Sequence, residues 1–279
     1  MTTQQDNNYV LIPHPIKAEV LLLRHGDQWA LPQLSATEAG DIHRVIQEQL
    51  GLDITVLDTI SPLNRLSIEH TTDAVVYATD NHSLQWSLPE NASWIGRAEL
   101  VDIALSVPEH RDLLEGWCDE VEHGNIPEQR VPWARIGWFD EAMAWIAEQV
   151  ARLGYTIVVP IEQVHVRAWS TVLRVSTSDG LLYFKAVASG FAYEPMLTQF
   201  LSTHWPECIP HVLVVDTEHR WMLMKDAGRP LRGLLLAGDT RANSVYLEQA
   251  FAQYAQFQIE TANYTDALLS LGCPDRRLH

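Results

Sequence analysis

LLYFKAVASGFAYEP, residues 181–195, places a lysine, Lys185, in the middle of an apolar run that alternates like a strand. A glycine break follows at Gly190, and then a lone glutamate, Glu194. An unpaired ammonium inside a sheet is costly, so the pattern asks for a partner carboxylate or a phosphate. Alternation sets Tyr183, Lys185 and Val187 on one face and Phe184 and Ala186 on the other. Glu194, at the start of the next helix, can be carried across the first face toward the lysine. An exposed ion pair contributes only about 0–1 kcal/mol, too little to place a charge there for stability. Phosphate binding supplies a better reason. The plain alternative is an amphipathic strand whose Lys185 reaches out to solvent along its own stem.

Working outward, short strands are expected at about 161–167, 171–176, 181–187, 211–216 and 220–224, with one helix at about 192–204. Trp169-Ser170-Thr171 reads as a turn of small polar residues between the first two strands. WMLMKDAGRPLR, 221–232, ends the fifth strand and exits into a Gly/Pro connector, and a long helix is expected at 243–263. Toward the N-terminus, KAEVLLLR (17–24) reads as a strand and His25-Gly26-Asp27 as a hairpin turn. Ile42, Val45, Ile46 and Leu50 recur at helical spacing over 36–50, and Gly51 closes that helix. Strands at 53–60 and 73–79 and a helix at 109–122 complete an α+β region. GNIPEQRVPW, 124–133, reads as a linker. A helix at 138–153 carries Trp138, Ala142, Trp145, Ile146 and Leu153 in one stripe, which is expected to dock two domains, and Gly154 suits its C′ position.

The bulk numbers bound the function. A chain of 279 residues suits two domains, and 47% apolar content with 10 Trp allows each a core. A net charge of −17, from 36 acidic against 19 basic residues, argues against non-specific binding to nucleic acid or anionic membranes. Cys118, Cys208 and Cys273 are odd in number and far apart, forming neither a disulfide framework nor a zinc spacing. Buried or idle thiols in a reducing cytoplasm are the expectation. The polar start MTTQQDNNY lacks a signal-type apolar core, and no run approaches the ~20 apolar residues of a membrane span.

Five antiparallel strands with a helix after the third resemble the small lobe of a kinase-like fold. WSTVLRV, YFKA, the YEP helix and WMLMKDAGRPLR, in that order, resemble the aminoglycoside phosphotransferase family, and DALLSLGCPDRRL (266–278) is similar to the early large-lobe segment of bacterial members. The resemblance covers about 157–279. It implies ATP as cofactor, with Lys185 on the α- and β-phosphates and Glu194 holding it by an ion pair. It also implies Ser170 and Thr171 over the phosphates, although this loop lacks the family's glycines, and Met224, Lys225 and Asp226 at the hinge facing the adenine edge. Family members further need an Asp to orient the acceptor hydroxyl and Asn and Asp groups to bind Mg²⁺. No His-Gly-Asp with an Asn five residues on follows Lys185; the one HGD is the turn at 25–27, with Pro32 five residues after Asp27. The chain is therefore expected to stop before the catalytic half of the large lobe, with no catalytic residue of its own and Mg²⁺ only with the missing part.

WALPQLSATEAGDIHRVIQEQLGL, 29–52, resembles the Nudix box of nucleoside-diphosphate-X hydrolases, in which a loop and helix bring glutamates to Mg²⁺. The match is Arg44-Val45-Ile46-Gln47-Glu48-Gln49-Leu50-Gly51-Leu52. The family pattern wants glutamate where Val45 and Gln49 stand; Glu48 survives, and Gln33 and Leu34 replace the glycines after Leu-Pro. One carboxylate rarely holds Mg²⁺ without help from substrate phosphates, so the fold can persist without hydrolysis and no metal site is expected. Glu38 has the wrong spacing for a second ligand.

The expected organisation is a Nudix-like mixed-sheet domain at 9–124, a linker and connecting helix at 125–156, and at 157–279 a kinase-like small lobe with the first helices of a truncated large lobe. The expected activity is ATP-dependent phosphotransfer to a hydroxyl of a small molecule, with this chain inactive alone. The partners would be a nucleotide and the acceptor, with neither nucleic acid nor membrane. Two alternatives stand beside it: a non-catalytic nucleotide-binding or scaffold protein, and a Nudix-type diphosphate hydrolase.

Overall fold

The computed structural model describes residues 8–60, 75–124, 126 and 130–277. It is a mixed α+β structure that divides into two compact units, 1–144 with 162–171 and 145–161 with 172–279.

The first unit contains β1 (Asn8–Leu11), β2 (Glu19–His25), β3 (Gln28–Ala30), β4 (Gln33–Leu34), α1 (Ala39–Leu50), β5 (Ile54–Ile60), β6 (Val76–Asn81), β7 (Ala92–Gly96), α2 (Arg97–Leu100) and α3 (His110–His123). One sheet has the order β4-β1-β6-β5 and the other β3-β2-β7. The first is mixed, since β1 runs parallel to β6 but antiparallel to β4. Strand alternation builds two apolar layers. Val10, Ile12 and Leu21 join Ile42 and Ile46 of α1, whereas Leu11, Val20 and Leu22 join Leu114 and Cys118 of α3. The intervening residues of β1 and β2 therefore face opposite helices. Gly51 ends α1 in the left-handed region at φ 70°, its N–H donating to the Gln47 carbonyl. The HGD turn is a hairpin, with His25 and Gln28 paired across Gly26 and Asp27.

Helix α4 (Trp138–Arg152) starts where expected. Trp138 meets Trp133 edge to face within the first unit, at 6.4 Å between ring centroids. Trp145 meets Phe184 and Trp221 within the second, at 5.7 and 5.6 Å. The segment read as a plain linker ends in a 3-10 turn, Pro132–Ala134, whose Trp133 is buried. Residues 125 and 127–129 of that segment lie outside the described residues.

Strands β8 (Glu162–Val166), β9 (Ser170–Thr177), β10 (Gly180–Val187), β11 (Val212–Asp216) and β12 (Trp221–Lys225) form a five-stranded sheet ordered β11-β12-β10-β9-β8. The pairs β10–β12 and β11–β12 are antiparallel. Helix α5 (Glu194–His204) lies in the chain between β10 and β11, after a 3-10 turn at Ser189–Phe191. That turn is why α5 begins at Glu194 and not at residue 192. Then come α6 (Leu231–Ala237), α7 (Thr240–Thr261) and α8 (Thr265–Ser270). Helix α7 starts earlier than its apolar pattern suggests because the Asp239 carboxylate accepts the Ala242 N–H at 2.8 Å, a side-chain N-cap.

The strand expected at 73–79 begins at Val76, and residues 73 and 74 lie outside the described residues. Ser170 is a correction to the turn reading: it opens β9, followed by Thr171, where the expected strand 171–176 began, and the two are 3% and 0% exposed. The Thr171 hydroxyl donates to the His165 carbonyl, which satisfies it inside the strand and explains why a polar pair can sit there. Among the described residues no helix is long and apolar enough to cross a membrane.

Candidate functional site

The second unit holds the lysine of the opening stretch. Along β10, Leu182, Phe184 and Ala186 are buried while Tyr183 and Lys185 are only half so. Phe184 packs edge to face on Trp221 at 5.5 Å and on Trp145 at 5.7 Å, anchoring one face of the strand in an aromatic cluster. With that face fixed, Lys185 must stand on the other. Its ammonium donates to Glu194 Oε1 at the first residue of α5, and the two side chains are 23% and 26% exposed. A carboxylate in a first helical turn is favoured by the partial positive charge of the unsatisfied N–H groups there. Glu194 thus has two reasons for its place, and Lys185 is held by its partner on a strand whose register is set by Met222 opposite it.

β12 ends at Lys225, within the residues that the resemblance implies as a hinge. The Lys225 N–H donates to the His211 carbonyl at 2.9 Å and the Asp226 N–H to Leu181 at 3.1 Å. Both donors are engaged within the protein. Asp226 Oδ1 also accepts the Gly228 N–H at 3.1 Å, with Gly228 at φ 88°. The next residue, Ala227, is exposed and carries a backbone donor that these bonds leave alone. The Lys225 ammonium lies 3.8 Å from Asp179, whose carboxylate also accepts the Tyr155 hydroxyl and raises that phenol's pKa.

Ser170 and Thr171 fall in the first compact unit, whereas Lys185, Glu194, Met224, Lys225 and Asp226 fall in the second. Thr171, with its hydroxyl on His165, is already satisfied.

In the first unit, α1 carries the box residues. Arg44 pairs with Asp41 at 3.1 Å and with Glu48 at 3.4 Å, all on the exposed side of the helix. Val45 packs against the core beneath, and Gln49 is exposed. Glu38, at the N-cap of α1, faces Arg167, whose Nη2 lies 3.2 Å from both carboxylate oxygens. Among the described residues no group of three or more His, Cys, Asp or Glu is placed to hold a metal ion. Gln163 is a residue that sequence reading did not single out. Its carboxamide accepts the Val56 N–H and donates to the Val56 carbonyl, both at 2.8 Å.

No family model and no curated protein matches the chain. Among solved structures, the chain is similar to a candidate oxidoreductase from Sinorhizobium meliloti 1021, at 17% identity and a TM-score of 0.33, over 43% of this chain and 41% of that one. It is similar to an ADP-ribose pyrophosphatase from Streptococcus suis 89-1591, at 14% identity and a TM-score of 0.32, over 44% of this chain and 94% of that one. It is also similar to the E. coli ORF135 protein, at 19% identity and a TM-score of 0.32, over 44% and 94%. At such scores these likenesses carry no argument about activity.

Proposed function

We propose that this chain supplies the nucleotide-gripping lobe of an ATP-dependent phosphotransferase that acts on a hydroxyl of a small molecule. The observation that carries this reading is the Lys185–Glu194 pair, joining the middle strand of the sheet to the helix that follows it. A lysine so held is positioned to meet the α- and β-phosphates of ATP without losing its proton or its place. Ala227, next to the engaged hinge residues, supplies the donor for the adenine edge. In this reading residues 9–124 form a Nudix-like domain, 125–156 a linker and helix, and 157–279 the kinase-like lobe with the first helices of a larger one. No His-Gly-Asp with an Asn five residues on follows Lys185, and in this reading these residues alone do not transfer phosphate.

Isothermal titration of the 279-residue chain with ATP tests the reading. Lys185→Ala should weaken binding at least tenfold while the melting temperature moves little, and Glu194→Gln should act the same way less strongly. No ATP binding by the parent, or unchanged affinity in Lys185→Ala, would overturn it. The other class of reading, a non-catalytic nucleotide-binding scaffold, shares the ATP binding. It predicts that no added polypeptide bearing a catalytic loop brings activity. Nudix-type hydrolysis has in its favour that Glu48 stands exposed on α1 beside Arg44. It would require nucleoside-diphosphate turnover with Mg²⁺ that is lost in Glu48→Gln.

A further inference from the structure

A cleft of about 380 Å³ lies in the second unit, lined by Ser189, Gly190, Ala192 and Tyr193 on one side and by Leu271, Gly272 and Pro274 on the other. The first wall is not an arbitrary stretch of surface. Residues 188–193 are the only covalent path from β10, which carries Lys185, to α5, which begins at Glu194. Tyr193 lines the cleft and immediately precedes Glu194, whose carboxylate accepts from the Lys185 ammonium. The opposite wall belongs to the segment after α8 and is drawn close: a Cβ on Gly272, at φ 88°, would lie 3.7 Å from the Tyr193 Cβ.

The lining selects the ligand. It holds no charged side chain, although the chain as a whole carries −17. An ion would find no counter-charge among the lining side chains. Leu271, Pro274, Ala192 and the Tyr193 ring offer apolar surface, and Ser189 adds a hydroxyl and the glycines open backbone. The volume lies within the range of small-molecule sites. We propose that this cleft binds a small uncharged ring compound bearing hydroxyl groups, and that its occupancy sets the strength of the Lys185–Glu194 pair. The linkage rests on the reading of that pair as the nucleotide grip; the binding does not.

The probes are phenol and methyl glucoside, which share a neutral ring with hydroxyls and differ in whether the ring is aromatic. Binding to the full chain is read by saturation-transfer NMR and titration. The state of Lys185 is read separately, as its rate of acylation by an amine-reactive reagent followed by mass spectrometry. Gly190→Phe adds a ring at a lining position; a Cβ at Gly190 meets nothing within 4 Å and the backbone there is not left-handed, so a side chain can start there without strain. At least one probe is expected to bind saturably, to change the Lys185 acylation rate threefold or more, and to lose affinity at least tenfold in Gly190→Phe. Lys185→Ala should still bind the probe. Binding by neither probe, binding equal in Gly190→Phe, or an unchanged acylation rate at saturating probe would overturn the proposal. Failure of the nucleotide reading appears elsewhere, as ATP titrations without heat alongside an intact probe response.

Discussion

Gln163 offers the sharpest energetic test, because one side chain satisfies both backbone groups of one strand residue. Its carboxamide makes two bonds of 2.8 Å to Val56, where the β5–β6 register slips between Val56 and Asp58. At that bulge the Val56 N–H and C=O look to Gln163 for partners. Both residues are buried, at 8% and 3% exposed, so water replaces the lost amide poorly. Each bond is worth about 0.5–1.5 kcal/mol net, and a stranded buried donor or acceptor costs about 1–3 kcal/mol. Gln163→Ala should therefore destabilise the first unit by about 2–4 kcal/mol once partial relaxation is allowed for. In urea that is a fall in the midpoint of about 1–2 M. Hydrogen exchange at the Val56 amide should accelerate before global unfolding does. Gln163→Glu gives the same test a sign. Ionised, the new carboxylate accepts the Val56 N–H but faces the Val56 carbonyl without a donor; protonated, it restores both bonds. Its pKa must then be raised in the folded state, so the variant's deficit is small below the unfolded carboxyl pKa and grows as pH rises through the folded one. A loss under 1 kcal/mol in Gln163→Ala, with Val56 exchange unchanged, would refute the reasoning.

Burial pushes the Cys118 thiol up to about 11, with Glu122 adding to the shift, so a maleimide at pH 8 should label exposed Cys208 while Cys118 waits for unfolding. His110 is buried against the edge of Tyr9, and burial lowers its pKa. The unfolded chain then binds a proton that the native imidazole refuses, so stability should fall as pH drops below about 6.5, the ordinary histidine value, toward the lowered one. Replacing His110 by Phe should flatten that slope in melting curves. Gly51→Ala forces a Cβ into the left-handed region at φ 70° and should cost about 1–2 kcal/mol, read by urea melts.

What the sequence made legible were features with a period or a punctuation mark. Ile42, Ile46 and Gly51 define α1 and its stop because helical spacing and a left-handed glycine are local demands. Lys185 and Glu194 were legible as a pair because a charge in a strand must be answered somewhere. Ser170 was read as turn because small polar residues normally mark turns, whereas Thr171, already inside the strand expected at 171–176, is satisfied by the His165 carbonyl across a strand pair. Gln163 was illegible for a similar reason: the group that needs it is 107 residues away. The Trp133 segment looked like a linker because its prolines are a local signal and its burial is not. Which N–H groups at the end of β12 are engaged, as those of Lys225 and Asp226 are, follows from β-ladder phase, a property of paired strands and not of one.

One edge of the five-stranded sheet is VLVVD, the strand β11. Its first four residues, VLVV, are uncharged and mostly β-branched, and such a run at a sheet edge is the kind of template on which chains join into fibrils. Here the register with β12 shifts between Val212 and Val214, and the strand closes on Asp216, held low in pKa by the N–H and ring of His219 against the opposing pull of burial. A bulge increases local twist and breaks the even spacing that an incoming strand would need, and the terminal charge repels a copy stacked in register. The irregularity in β11 therefore has a role in solubility as well as in shape: it lets an apolar strand sit at the rim of the sheet without inviting another to extend it.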